Sequence, residues 1–144
     1  MLPNLINSIS SMSIVFTWKV RVYYEDTDAG GIVYYANYLK FFERARTEWL
    51  RTIDVNQRDL LGQHDAMFVV KNASADYHAP ARLDDMLELT LSIEKLGRAS
   101  IVFVQQAWRG DALLNTARVT VACVNGALRP CALPVEIAAR MRAA

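Results

Sequence analysis

The stretch Asn37-Tyr38-Leu39-Lys40-Phe41-Phe42-Glu43-Arg44-Ala45-Arg46-Thr47-Glu48-Trp49-Leu50-Arg51-Thr52-Ile53 decides the fold. Tyr38, Phe41, Phe42, Ala45, Trp49 and Ile53 recur at helical spacing, while Lys40, Glu43, Arg44, Thr47, Glu48 and Arg51 fill the opposite face. Lys40/Glu43, Glu43/Arg46 and Glu48/Arg51 add opposite charges three residues apart, where helical side chains meet. The pattern predicts one long amphipathic helix whose aromatic stripe needs a sheet to cover it. Asn37 is its expected N-cap, because an Asn side-chain oxygen can accept one of the first free backbone N–H groups.

Outward from this helix the hydrophobic period changes from helical to alternating. Upstream, Phe16 to Glu25 places Phe16, Trp18, Val20 and Val22 on one face and Lys19, Arg21 and Tyr23 on the other, which predicts a strand. Downstream, Gln57 to Gly62 could add a helical turn, and four strands are expected over Met67–Tyr77, Asp85–Leu96, Ala99–Trp108 and Leu113–Val124. Leu87, Leu89, Leu91 and Ile93 point inward in the second of these, with Glu88, Thr90, Ser92 and Glu94 outward. Gly97-Arg98 and Gly110-Asp111 mark hairpin turns. Ile101-Val102-Phe103-Val104 is apolar on both faces, so that strand is expected to be covered twice, the second time by another subunit. Pro134 to Met141 suggests a short terminal helix. A strand, a long helix and then an antiparallel meander make an α+β fold.

Composition bounds the function. The 144 residues suit one domain, expected over residues 16–144, behind a loosely ordered tail at 1–15 in which Met12 could be the true start. Hydrophobic residues make up 53%, charged residues 22%, and the net charge is +1, a balance that argues against nucleic acid as a partner. No apolar run approaches the roughly 18 residues needed to span a bilayer, so no integral membrane segment is expected. Cys123 and Cys131 lack the spacing of a zinc site and are too few for a disulfide scaffold, so neither metal nor cofactor is predicted.

The densest chemical signal is Tyr24-Glu25-Asp26-Thr27-Asp28-Ala29-Gly30-Gly31, between the first strand and the long helix. Asp and Gly are ordinary loop residues, and an Asp near a helix start is often only a cap. A calcium loop fits Asp26, Asp28 and Gly31 but fails at Gly30 and at Asn37, which stands where the bidentate Glu belongs. A serine–histidine triad lacks a nucleophile elbow, and His78, at a strand end, reads as a structural or rim residue. Neither a Walker loop nor a dinucleotide glycine fingerprint occurs. The glycines do allow close approach of a ligand to backbone, and the helix start supplies free N–H groups and the positive end of a dipole.

Val22 to Tyr34, Asn37 to Glu48, and the block Tyr77-His78-Ala79-Pro80-Ala81-Arg82-Leu83-Asp84-Asp85-Met86-Leu87-Glu88 together resemble the 4-hydroxybenzoyl-CoA thioesterase-like hotdog enzymes, specifically the YbgC branch associated with the Tol-Pal system. The resemblance extends from Phe16 to Pro134. It implies a hotdog fold, a long helix wrapped by a five-stranded antiparallel sheet, in a homodimer or homotetramer in the cytoplasm. It also implies an acyl-CoA substrate, with acyl carrier protein as a further partner. Asp28 then matches the catalytic carboxylate, and the backbone N–H of Tyr35 matches the group that polarises the thioester carbonyl. Typical YbgC-like members carry His where this chain has Tyr35; a backbone donor survives that change, an imidazole role does not.

A thiolate departs readily, so one carboxylate suffices, either activating water or attacking the carbonyl itself. Hydrolysis of short-chain or aromatic acyl-CoA is therefore the leading expectation. A non-catalytic hotdog that binds acyl-CoA or acyl carrier protein at the envelope is the alternative. A hydratase would need an Asp/His arrangement that the sequence does not place beside this loop.

Overall fold

The computed structural model describes residues 12–144. Five strands form one antiparallel sheet in the order β1-β3-β4-β5-β2, with β1 at Ile14–Arg21, β2 at Met67–Tyr77, β3 at Met86–Leu96, β4 at Ser100–Arg109 and β5 at Ala112–Val124. Helix α1, Asn37–Thr52, lies against one face, and α2 (Gln57–His64) and α3 (Val135–Ala143) close its far end. This is the expected arrangement of a long helix wrapped by a five-stranded antiparallel sheet.

The core sits between α1 and the sheet. Tyr38, Phe41, Phe42, Ala45, Trp49 and Leu50 are buried on the helix, opposite Leu87, Leu89 and Leu91 of β3, Ile101, Phe103 and Ala107 of β4, and Ala117, Val119 and Val121 of β5. The Trp49 and Phe103 rings meet edge to face at 5.7 Å. Polar side chains enter this layer too: Gln105, fully buried, donates to the Phe42 carbonyl at 3.0 Å and accepts from Arg46 at 2.9 Å. Its burial is tolerated because both ends of the amide are satisfied. Burial pushes the Arg46 guanidinium down, against the nearby Glu43.

Several local expectations change. The first strand starts earlier and stops at Arg21, since Tyr24–Asp26 turns into a short 3-10 helix. The reason is a side chain competing with the ladder: Asp26 accepts the Tyr23 N–H at 2.8 Å and thereby fixes a turn. Of the tail expected over residues 1–15, residues 1–11 lie outside the described ones, and Ile14 and Val15 already belong to β1. Asn37 is not the N-cap; Ala36 occupies that position, and the Asn37 amide donates to Asp26 instead. On the outer face of the sheet Val104 is 3% exposed within this single chain, while Val102 beside it is half-buried. The hairpin turns fall where the glycines stand, with Gly110 at φ 57°.

Candidate active site

The loop between β1 and α1 is pinned by Asp26. Its carboxylate is 6% exposed and spends both oxygens, Oδ2 on the Tyr23 N–H at 2.8 Å and Oδ1 on the Asn37 amide at 3.0 Å, while its carbonyl accepts the Tyr34 N–H at 3.0 Å. The carboxylate is thereby turned inward and ties the loop to the first residue of α1.

Asp28, two residues on, faces the other way. The strand-like bridge between Thr27 and Val33 carries a tight turn in which Asp28 N–H donates to the Ile32 carbonyl at 2.9 Å and Gly31 N–H to the Asp28 carbonyl at 3.0 Å. Gly31 sits at φ 79°, where a side chain would be strained. Asp28 Oδ1 accepts the Gly30 N–H at 2.8 Å, and a Cβ at Gly30 would stand 3.2 Å from that same oxygen. Oδ2 takes no hydrogen bond from another described residue.

Asp28 and Tyr35 line one cleft of about 450 Å³ together with Ile32, Val33, Tyr38, Tyr77, His78, Ala79 and Pro80. The Tyr77 hydroxyl donates to the Tyr35 carbonyl at 2.8 Å, which holds the peptide just before α1, and the Tyr35 N–H bonds to no other described residue. Tyr35 rests against Tyr34 and Tyr77, and Tyr77 meets Tyr38 edge-on at 5.7 Å, giving the cleft an aromatic wall. Burial is the main cause that pushes the Tyr38 and Tyr77 phenols up, so both are neutral hydrogen-bonding groups at ordinary pH.

The opposite rim is the segment from His78 to Asp85. Val33 N–H donates to the Ala81 carbonyl, and Ile32 bridges to Arg82, so this segment is stitched to the Asp28 loop. Asp85 anchors it, accepting the Arg82 N–H and Arg109 Nη1, each at 2.9 Å. Burial would raise the Asp85 carboxyl, but the Arg82 N–H and Arg109 guanidinium outweigh it and hold it below the usual carboxylate range. His78 lines the cleft with Asp28, contrary to the expectation that no histidine stands near the loop; its Nε2 is 3.1 Å from Thr116 Oγ1. Periodicity could not foresee this, because Asp28 and His78 come to one cleft through contacts between distant segments, Val33–Ala81 and Ile32–Arg82 among them.

Sequence reasoning thus named Asp28 and Tyr35 but passed over Tyr38 and Tyr77 as cleft walls. Tyr38 counted only as part of the helix stripe, and Tyr77 only as a member of the second block. Among the described residues no group of three or more His, Cys, Asp or Glu side chains is arranged to hold a metal ion, and no helix is long and apolar enough to cross a membrane.

Comparison with known proteins bears on the fold and the family. Residues 30–115 match the model of the thioesterase superfamily. The acyl-CoA thioesterase YbgC of Haemophilus influenzae is 49% identical over 125 residues, covering 86% of this chain and 92% of that protein. The acyl-CoA thioester hydrolase YbgC of Escherichia coli O6:H1 is 48% identical over 130 residues, covering 89% and 96%. Among solved structures, a probable thioesterase from Bartonella henselae superposes with a TM-score of 0.79 at 35% identity, over 83% of this chain and 98% of that one. Long helix, antiparallel sheet, carboxylate loop and sequence likeness converge: the chain belongs to the thioesterase superfamily, as a hotdog protein of the YbgC acyl-CoA thioesterase family.

Proposed function

We propose that this chain hydrolyses short-chain or aromatic acyl-CoA to the free acid and CoA, with Asp28 as the reacting carboxylate. The observation that carries the reading is the shared cleft: Asp28 and Tyr35 line the same space at the start of α1, and among the described residues neither Asp28 Oδ2 nor the Tyr35 N–H has a hydrogen-bond partner. A thioester carbonyl seated between them meets an anion on one side and a backbone donor near the positive end of a helix on the other. The donor stabilises the oxyanion that develops as the carbonyl is attacked, a contribution of ~3 to 4 kcal/mol per well-placed donor. Asp28 acts as general base on water or as nucleophile forming a mixed anhydride; both routes need it within ~3 Å of its target. Arg82, exposed beside Ile32, is suited to an anionic part of CoA at the cleft mouth.

The test is thiol release across a panel of acyl-CoA esters. Asp28→Asn should lower kcat by roughly 100-fold or more with the fold intact by circular dichroism. A variant as fast as the parent removes Asp28 from the mechanism, and tight binding without turnover on every thioester favours the non-catalytic binding protein. Because His78 shares the cleft, hydration of an enoyl-CoA belongs in the same panel; turnover there would revive the hydratase reading.

The same proposal includes a homodimer or homotetramer. Strand β2 ends the sheet, hydrogen-bonded on one side only among the described residues, and its exposed run Val70–Ser74 offers an edge to a second copy. Light scattering is expected to give twice or four times the mass of the chain; a monomer at micromolar concentration would contradict it. Acyl carrier protein is a proposed second donor of the thioester, and the cytoplasm the proposed compartment.

A further inference from the structure

Strand β5 ends at Val124, and the chain then turns through residues 125–129 and runs back alongside it. The Asn125 N–H donates to the Arg129 carbonyl at 2.8 Å, Val124 bridges to Pro130, and the Cys131 N–H donates to the Cys123 carbonyl at 3.0 Å. The turn is fastened at two points. Asn125 Oδ1 accepts the Ala127 and Arg129 N–H groups at 2.9 and 3.1 Å, and Asp65 Oδ1 accepts the Gly126 N–H at 3.0 Å. Cys123 and Cys131, eight positions apart in sequence, are thereby set opposite each other with their Sγ atoms 3.5 Å apart.

Residues directly opposite in an antiparallel pair have Cα atoms roughly 4.5 to 5.5 Å apart, inside the span of about 4.4 to 6.8 Å that a disulfide bridges. Joining the two sulfurs therefore asks for small side-chain rotations and no rearrangement of the backbone. The two thiols differ in surroundings. Cys123 is 0% exposed, and burial, followed by the hydrogen bond with Cys131, pushes its thiol up to about 12. Cys131 is half-buried between the exposed residues Pro130 and Ala132, so a small reagent meets it first, with Cys123 directly behind. The segment that follows Cys131 leads into the core: Leu133, Ile137, Ala138 and Met141 are buried, and the Leu133 N–H donates to the Arg98 carbonyl at 2.8 Å. The pair lies at the other end of the β5–β2 pairing from the cleft, since Cys123 is opposite Phe68 whereas the cleft wall Tyr77 is opposite Asn115.

We propose that Cys123 and Cys131 form a redox-active pair, which a hydroperoxide converts to a disulfide that staples the segment leading into α3 to the end of β5. The sulfur of Cys131, as thiolate, attacks the peroxide: an S–O bond forms, the O–O bond breaks, and the departing oxygen leaves as water or an alcohol once protonated. Cys131 is then a sulfenic acid. The Cys123 sulfur attacks the Cys131 sulfur, the S–S bond forms, the S–O bond breaks, and the hydroxyl departs as water with the Cys123 proton. Two thiols are oxidised by two electrons and one hydroperoxide is reduced, and a dithiol reductant reverses the change. The link acts on the unfolded chain by closing a loop, so it raises stability. It is independent of the hydrolase reading, because neither sulfur borders the Asp28 cleft.

The experiment treats the reduced full-length chain with excess hydrogen peroxide and follows intact mass, peptide map and thermal unfolding. The unsubstituted chain should lose the mass of two hydrogens, yield a linked Cys123–Cys131 peptide and gain about 5 °C or more in Tm, with dithiothreitol restoring the starting values. Cys123→Ala should instead gain one or more oxygens on Cys131, and Cys131→Ser should keep its mass under the same treatment. Oxygen added to Cys131 of the unsubstituted chain while Cys123 stays a free thiol overturns the proposal. So do a disulfide between two chains, two unreacted thiols under peroxide that oxidises free cysteine, and an internal link that leaves Tm unchanged.

Discussion

Asp26 and Asp28 are two residues apart and have opposite surroundings. The first has both oxygens bound and is buried; the second is exposed to a cleft, with one oxygen unbonded among the described residues. Their difference comes from the turn: the hydrogen bond from Tyr23 N–H fixes Asp26 inward, and the Gly30-Gly31 turn sends Asp28 out. Gly30 matters here for its missing side chain, since its backbone is outside the left-handed region while a Cβ would press on Asp28 Oδ1. Gly30→Ala is accordingly expected to lower kcat/KM by roughly 10- to 100-fold by displacing the carboxylate, with little change in Tm. Equal loss of Tm and activity would show that the loop, rather than the carboxylate position, had failed. At this scale the sequence made Asp28 and the glycines legible as a type of loop, and the family resemblance chose Asp28 as the reacting group. It left the direction of Glu25 and Asp26 open, because a side chain that caps its own turn and one that faces a ligand look alike in a linear string.

Among the elements, α1 was the most legible, because a two-sided helical pattern with aromatics on one side permits few other arrangements. Its boundaries differ from expectation by a single residue at the end, and only the role of Asn37 changed. Trp49 is its deepest anchor, 1% exposed against Phe103. Trp49→Ala should cost about 3 to 5 kcal/mol, measured by urea unfolding, and a loss below about 1 kcal/mol would mean that the helix is held mainly elsewhere. The first strand was the least faithful reading, since alternation continues through Val22 and Tyr23 although the backbone has begun to turn. A period of two records which faces residues prefer, and Asp26 ended the strand by a local hydrogen bond that no period reports.

For the whole molecule, the cleft depends on contacts between segments distant in sequence. The Asp28 loop is joined to the 78–85 segment through Val33–Ala81 and Ile32–Arg82, and Asp85 holds that segment by its bonds to Arg82 N–H and to Arg109. Because the folded Asp85 carboxyl lies below its ordinary value, its contribution is fully present above the unfolded pKa of about 4 and fades as pH falls through the folded one. Asp85→Asn should therefore lower Tm at pH 7 and narrow its gap to the parent as pH falls below about 4; an unchanged gap would exclude this linkage. By itself the sequence determined the α+β class, the order of strand, helix and meander, and the family, because hydrophobic period, turn glycines and a long motif are all local properties of the chain. Only the tertiary structure decided that Tyr38, Tyr77 and His78 share a cleft with Asp28 and that Asn115 is buried beside Tyr77 with no hydrogen-bond partner among the described residues. Those facts depend on strand register and on which side of the sheet the helix covers, and both are fixed by long-range pairing that no single segment encodes.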